Sequence, residues 1–93
     1  MRIGTLKIRL YAPWVHSLKE KRMVVKSLLA KLTNRFNVSA AEVEEQDVLQ
    51  TAVIGVACVA DSSAFLDSVL DKLMDYIESN TEAQVVSVER EIL

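Results

Sequence analysis

A four-stranded antiparallel sheet with two helices on one face is the fold class this sequence predicts, on three observations. Four separate runs read as β-strands, the first alternating apolar and polar residues with the period of a half-covered strand. Two longer segments instead space apolar residues at three and four, the period of helices with one buried stripe. The order along the chain is strand, helix, strand, strand, helix, strand. At 93 residues with 51% apolar composition, the chain is read as one domain, 1–93, large enough to fold on an unaided core.

The first strand, about residues 2–12, sets Leu6, Ile8 and Leu10 on one face and Thr5, Lys7, Arg9 and Tyr11 on the other. Pro13 stops it. Ser17 and Glu20 then make an S-x-x-E capping box, in which two side chains satisfy backbone N–H groups at a helix start. The first helix runs to about Asn34 with a core stripe of Leu18, Val25, Leu28, Leu29, Leu32 and the following Phe36. Next, "NVSAAEVEE" and "VLQTAVIGVACVA" are β-rich runs joined at "EQD", a hairpin whose second strand is apolar on both faces and therefore interior. Asp61, Ser62 and Ser63 are capping candidates for a second helix, about 63–79. Its expected stripe is Phe65, Leu66, Val69, Leu73, Tyr76 and Ile77, with Asp67, Asp71, Asp75 and Glu78 facing water on the opposite side. The closing strand is "AQVVSVEREI". This is the α+β, ferredoxin-like split βαββαβ order, whose two right-handed crossovers put both helices on one sheet face and strands one and three at its centre.

Such a sheet leaves one face open. In the third strand one apolar set points away from the helices, which predicts a homodimer or another partner over that face. The alternative is that the stems of Lys7 and Arg9 lie across its small residues.

Charge is unevenly placed. Residues 1–36 carry nine bases and one acid, and residues 37–93 two bases and twelve acids, inside a net charge of −2. Screening acts over about 8 Å at physiological salt, so a partner meets local patches and an anionic ligand is compatible with the acidic total. Six of the eleven bases fall between His16 and Phe36. Counted at 100° per residue, the line opposite the core of the first helix is Met23, Ser27, Ala30 and Asn34, nearly uncharged. Lys19, Arg22 and Lys26 run along one side of that line and Lys31 and Arg35 along the other. Lys21 falls on the core side and must snorkel or find a partner. Lys19, Lys21, Arg22, Lys26, Lys31 and Arg35 are the candidate anion- or nucleic-acid-binding residues. Pairing with acids of the second helix or of a second subunit is the competing expectation for these bases.

Catalytic signals are sparse. His16 is the lone histidine and lies in a loop; Cys58 is the lone cysteine and lies in an apolar strand, where an inert buried thiol is expected. Both glycines, Gly4 and Gly55, fall inside strands, so no phosphate-cradling loop exists. The "EVEEQD" carboxylates sit at a hairpin tip without an apolar pocket. The expectation is a non-enzymatic protein with no cofactor or metal, not membrane-bound, in a reducing cytoplasmic setting. Base stacking on the sheet is disfavoured because strand three has no aromatic residue.

The runs "HSLKEKRMVVKSLL", "RFNVSAAEVEEQDVLQTAVIGVACVA" and the late "VEREI" together resemble the YlxP-like family, small bacterial proteins of unknown function. The family's S-L-K-x-K-R matches Ser17, Leu18, Lys19, Lys21 and Arg22, and its F-N-V-S matches Phe36, Asn37, Val38 and Ser39. At "DVLQTA" the chain departs from it, with Leu49 and Thr51 where similar proteins tend to have an aromatic residue and a base. The resemblance implies the fold reached above and, through genes neighbouring translation-initiation and ribosome-maturation genes, association with ribosomes or RNA. Two readings follow: an RNA- or ribosome-associated binding protein working through the first helix, or a dimeric interaction or regulatory module taking a protein or small anionic ligand at the subunit junction.

Overall fold

The structure, a computed structural model, describes residues 1–93. Its elements are β1 (Arg2–Tyr11), α1 (Leu18–Arg35), β2 (Ser39–Glu44), β3 (Thr51–Ala60), α2 (Ser63–Asn80) and β4 (Gln84–Ile92). The sheet order is β2-β3-β1-β4 with every pair antiparallel, so β1 and β3 are central, as the split βαββαβ order implied. Leu6, Ile8 and Leu10 of β1 and Ile54 and Val56 of β3 form the floor of the core. Val25, Leu28 and Leu32 of α1 and Leu70, Leu73 and Ile77 of α2 close it from above. Each fully buried side chain of this kind stabilises the fold by about 1.5 to 3 kcal/mol. No helix is long and apolar enough to cross a membrane.

Both helix starts are capped by serine hydroxyls. Ser17 Oγ accepts from the Glu20 N–H at 3.0 Å, and Ser62 Oγ from the Phe65 N–H at 3.2 Å. Glu20 returns the contact one residue earlier than expected, accepting the N–H of His16 rather than that of Ser17, at 2.7 Å.

Three expectations need correction. β3 begins at Thr51 rather than Val48, because residues 48–50 are held against the loop after β1: Gln50 accepts the Ala12 N–H at 2.8 Å and its side-chain amide donates to the carbonyls of Pro13 and Val15 at 3.0 and 3.3 Å. Phe65 is 56% exposed, and Leu70 takes the buried place in α2. The two helices meet where Phe36 touches Tyr76 edge-on, at 5.6 Å between ring centroids. Phe65 lies three turns before Tyr76, beyond the end of α1, and nothing above the sheet covers it. Finally, Asp67 and Asp71 do not simply face water. Both reach across to Arg90 of β4, at 2.9 and 2.7 Å.

Candidate nucleic-acid interface

The six candidate bases separate into three groups by their place on α1. Lys21 is buried, with 3% of its surface exposed, and shares the inner stripe with Val25, Leu28 and Leu32. Its ammonium lies 3.0 Å from Glu42 Oε2 on β2 and donates to the Glu45 carbonyl at 2.6 Å. That placement takes Lys21 out of any surface patch. It ties the first turns of α1 to the hairpin tip, where Glu45 adopts a left-handed backbone with φ 56°.

Lys19, Arg22 and Lys26 are exposed together on the outer flank. Lys31 and Arg35, also exposed, lie on the flank turned toward α2. The Arg35 guanidinium sits over the Tyr76 ring at 5.8 Å from its centroid, a cation–π contact. Between the flanks Met23, Ser27, Ala30 and Asn34 form an exposed, uncharged ridge.

Every ion pair in the molecule uses Lys7, Arg9, Lys21 or Arg90 as its cation. The five exposed bases of α1 therefore have no carboxylate partner within the chain, and the acids of α2 are engaged elsewhere or free. Mutual repulsion among unpaired bases on one helix is a standing cost, relieved by an anion.

The hairpin carboxylates have the opposite fate. Glu42 goes to Lys21, Glu44 to Lys7 and Glu45 to Arg9 at 2.6 Å. Lys7 also approaches Glu89 of β4 at 3.5 Å, so one ammonium on β1 links both edge strands. The hydrogen bond with Lys7 holds the Glu44 carboxyl below the usual carboxylate range, and Glu44 in turn raises the Lys7 ammonium. Arg90 is held charged first by its hydrogen bond to Asp71 and then by Asp67. With Glu42, Glu44 and Glu45 each matched to its own cation, these three acids are structural ties.

The same side chains lie over the open sheet face. Val53 points away from the helices yet is only 1% exposed, being flanked in register by Arg9 and Glu44. Gly55 lies beneath Val43, which bulges out of β2; a Cβ there would stand 2.8 Å from Val43 Cγ1. Apolar surface stays uncovered at Val43 itself and at the far end, where Val59 is 59% and Leu93 60% exposed beside Ile3.

Three functional or architectural residues were missed in the sequence: Glu42, Gln50 and Trp14. A detectable sign existed for the first, since Glu42 alternates onto the core face of β2 just as Lys21 falls on the core face of α1. Trp14 is 37% exposed in the loop clasped by Gln50 and lines a concavity between α1 and the end of α2.

The model of a family described as a protein of unknown function, DUF503, matches residues 3–90. The uncharacterized protein YlxP of Bacillus subtilis (strain 168) is 38% identical over 68 residues, which cover 73% of this chain and 74% of that protein. Among solved structures, a de novo designed protein with ferredoxin fold, LFR1 1, superposes with a TM-score of 0.60 at 13% identity, covering 99% of this chain and 85% of the design. A second design, Foldit4, gives 0.52 at 12% identity, covering 99% and 94%. At those identities the likeness concerns fold alone.

Proposed function

We propose a role for this chain, which belongs to the DUF503 family of proteins of unknown function: it is a non-enzymatic protein that binds RNA, as such or within the ribosome, through the exposed bases of α1. One observation carries the reading. Lys19, Arg22, Lys26, Lys31 and Arg35 stand without an internal carboxylate partner in a chain of 13 acids. Phosphates need only positioned cations, without base-specific geometry. The outer flank offers three of them along two turns of helix, a linear array suited to a phosphodiester backbone.

The test is a salt titration of RNA binding. If about three phosphates are contacted, log affinity falls against log salt with a slope near −2, at roughly −0.7 per phosphate for single strands. Replacing Lys19, Arg22 and Lys26 together by Glu should abolish binding with the fold intact, since all three lie outside the buried stripe. A folded triple variant that still binds RNA or ribosomes as the parent does would overturn the proposal.

A second copy of the chain is the other reading, favoured by the exposed apolar end of the open face at Val59 and Leu93. Contiguous apolar exposure of this kind is typical of interfaces.

A further inference from the structure

A groove separates α1 from the last turns of α2. Its first part is an open concavity walled by Trp14, Met23, Ser27, Lys31 and Glu82 among others. Its second is walled by Arg35, Lys72, Asp75 and Tyr76. Ser79 and Asn80 border both parts, so the two adjoin. The uncharged ridge of α1 forms one bank, and Lys19, Arg22 and Lys26 lie on the ridge's far side.

We propose that this groove receives the unpaired bases of a single-stranded RNA whose phosphates follow Lys19, Arg22 and Lys26, with Trp14 as a stacking platform. The inference rests on the RNA-binding reading of α1 and adds to it the form of the nucleic acid and the residue that selects it. Charge decides which part of the strand goes where. The outer flank has three bases and no acid, whereas the groove mixes Lys31, Arg35 and Lys72 with Glu82 and Asp75. The phosphates therefore favour the flank and the neutral bases the groove.

Trp14 is suited to the task by chemistry and by support. It is the sole tryptophan, exposed in a loop whose carbonyls on either side, Pro13 and Val15, are both held by the Gln50 amide. A platform fixed before binding loses little freedom on binding. Met23, 65% exposed, lines the same concavity with a flexible, polarizable side chain of the kind that packs on aromatic rings. Aromatic stacking with basic residues along the backbone is how proteins hold single strands without reading sequence. A duplex keeps its bases stacked internally and offers the indole nothing to cover.

The experiment uses the intact protein and an oligoadenylate of roughly eight nucleotides, within the usual site size, at low salt. Trp14 fluorescence should be quenched along the binding curve. Trp14→Leu should weaken binding about 5- to 150-fold while leaving the salt slope unchanged, and Trp14→Phe should recover most of the loss. A duplex of equal length should bind more weakly and leave the fluorescence unaltered. Binding without quenching, or a folded Trp14→Leu variant within twofold of the parent, would overturn the stacking proposal. If the Lys19, Arg22 and Lys26 reversal still abolishes that binding, the broader reading of α1 survives alone. No binding of either nucleic acid by the parent chain at low salt would overturn both.

Discussion

Lys21 belongs to the basic run by sequence and to the core by geometry. Its ammonium and the Glu42 carboxylate are withdrawn from water together, with side chains 4% and 18% exposed. Removing one partner of such a pair leaves an uncompensated charge, at a cost of about 3 to 5 kcal/mol, whereas replacing both by apolar groups is often close to neutral. Lys21→Met should therefore lower the urea midpoint sharply, and adding Glu42→Leu should restore most of it. A single variant as stable as the parent would mean that Glu42 finds water. Folded, the double variant should bind RNA with the parental salt slope, because Lys21 is not on the surface. The inward place of Lys21 was legible from the helical period alone. Its partner was not: Glu42 lies on another element, and only the register of β2 against β3 brings it under α1. Trp14 was illegible for the same kind of reason, since no local pattern marks a loop residue as the wall of a groove built by two helices.

At the scale of elements, order and type could be read because each run keeps one period throughout. Boundaries failed where apolar residues serve two purposes. Val48 and Leu49 look like the start of β3, yet Gln50 turns that segment toward the loop after β1. The ties between strands have a pH signature that follows from Lys7 and Glu44. The Glu44 carboxyl is depressed, so its contribution is present above the ordinary carboxylate range and disappears as pH falls through its lowered value. The Lys7 ammonium is raised, so its contribution holds below the ordinary lysine value and disappears as pH rises through the raised one. Both are fully present at neutral pH. Lys7→Met should accordingly give a small loss in urea midpoint at pH 7, and the gap to the parent should shrink as pH falls below the ordinary carboxylate range and through the lowered value of Glu44. A gap of constant size across that range would assign the loss to the lysine stem packing on the sheet.

The whole molecule divides its charge by face. Bases without partners gather on α1, while Glu44, Glu45 and Glu89 cross the open sheet face in pairs with Lys7 and Arg9. A second copy covering that face would have to use its apolar end, away from the paired charges. Light scattering at micromolar concentration should then report twice the chain mass, and Val59→Lys should return it to one. A parent chain that is monomeric under those conditions would end the dimer reading and leave α1 as the working surface. The open face was foreseen as either an interface or a surface screened by long side chains; its screened part is the one that contains Val53.

Ile3 and Leu93 exchange both backbone hydrogen bonds, at 3.2 and 2.7 Å, so the two ends of the chain lie side by side at one end of neighbouring antiparallel strands. A load applied across these residues acts at right angles to both strands. The β1–β4 ladder would then open like a zipper, one rung at a time from Ile3 toward Tyr11, with no stage at which many bonds resist in parallel. The domain is thus mechanically soft between Ile3 and Leu93, whatever its resistance to urea. A pull on Leu93 against Ile3 would first peel the edge strand β4 away, and with it Arg90, the strand's anchor to α2.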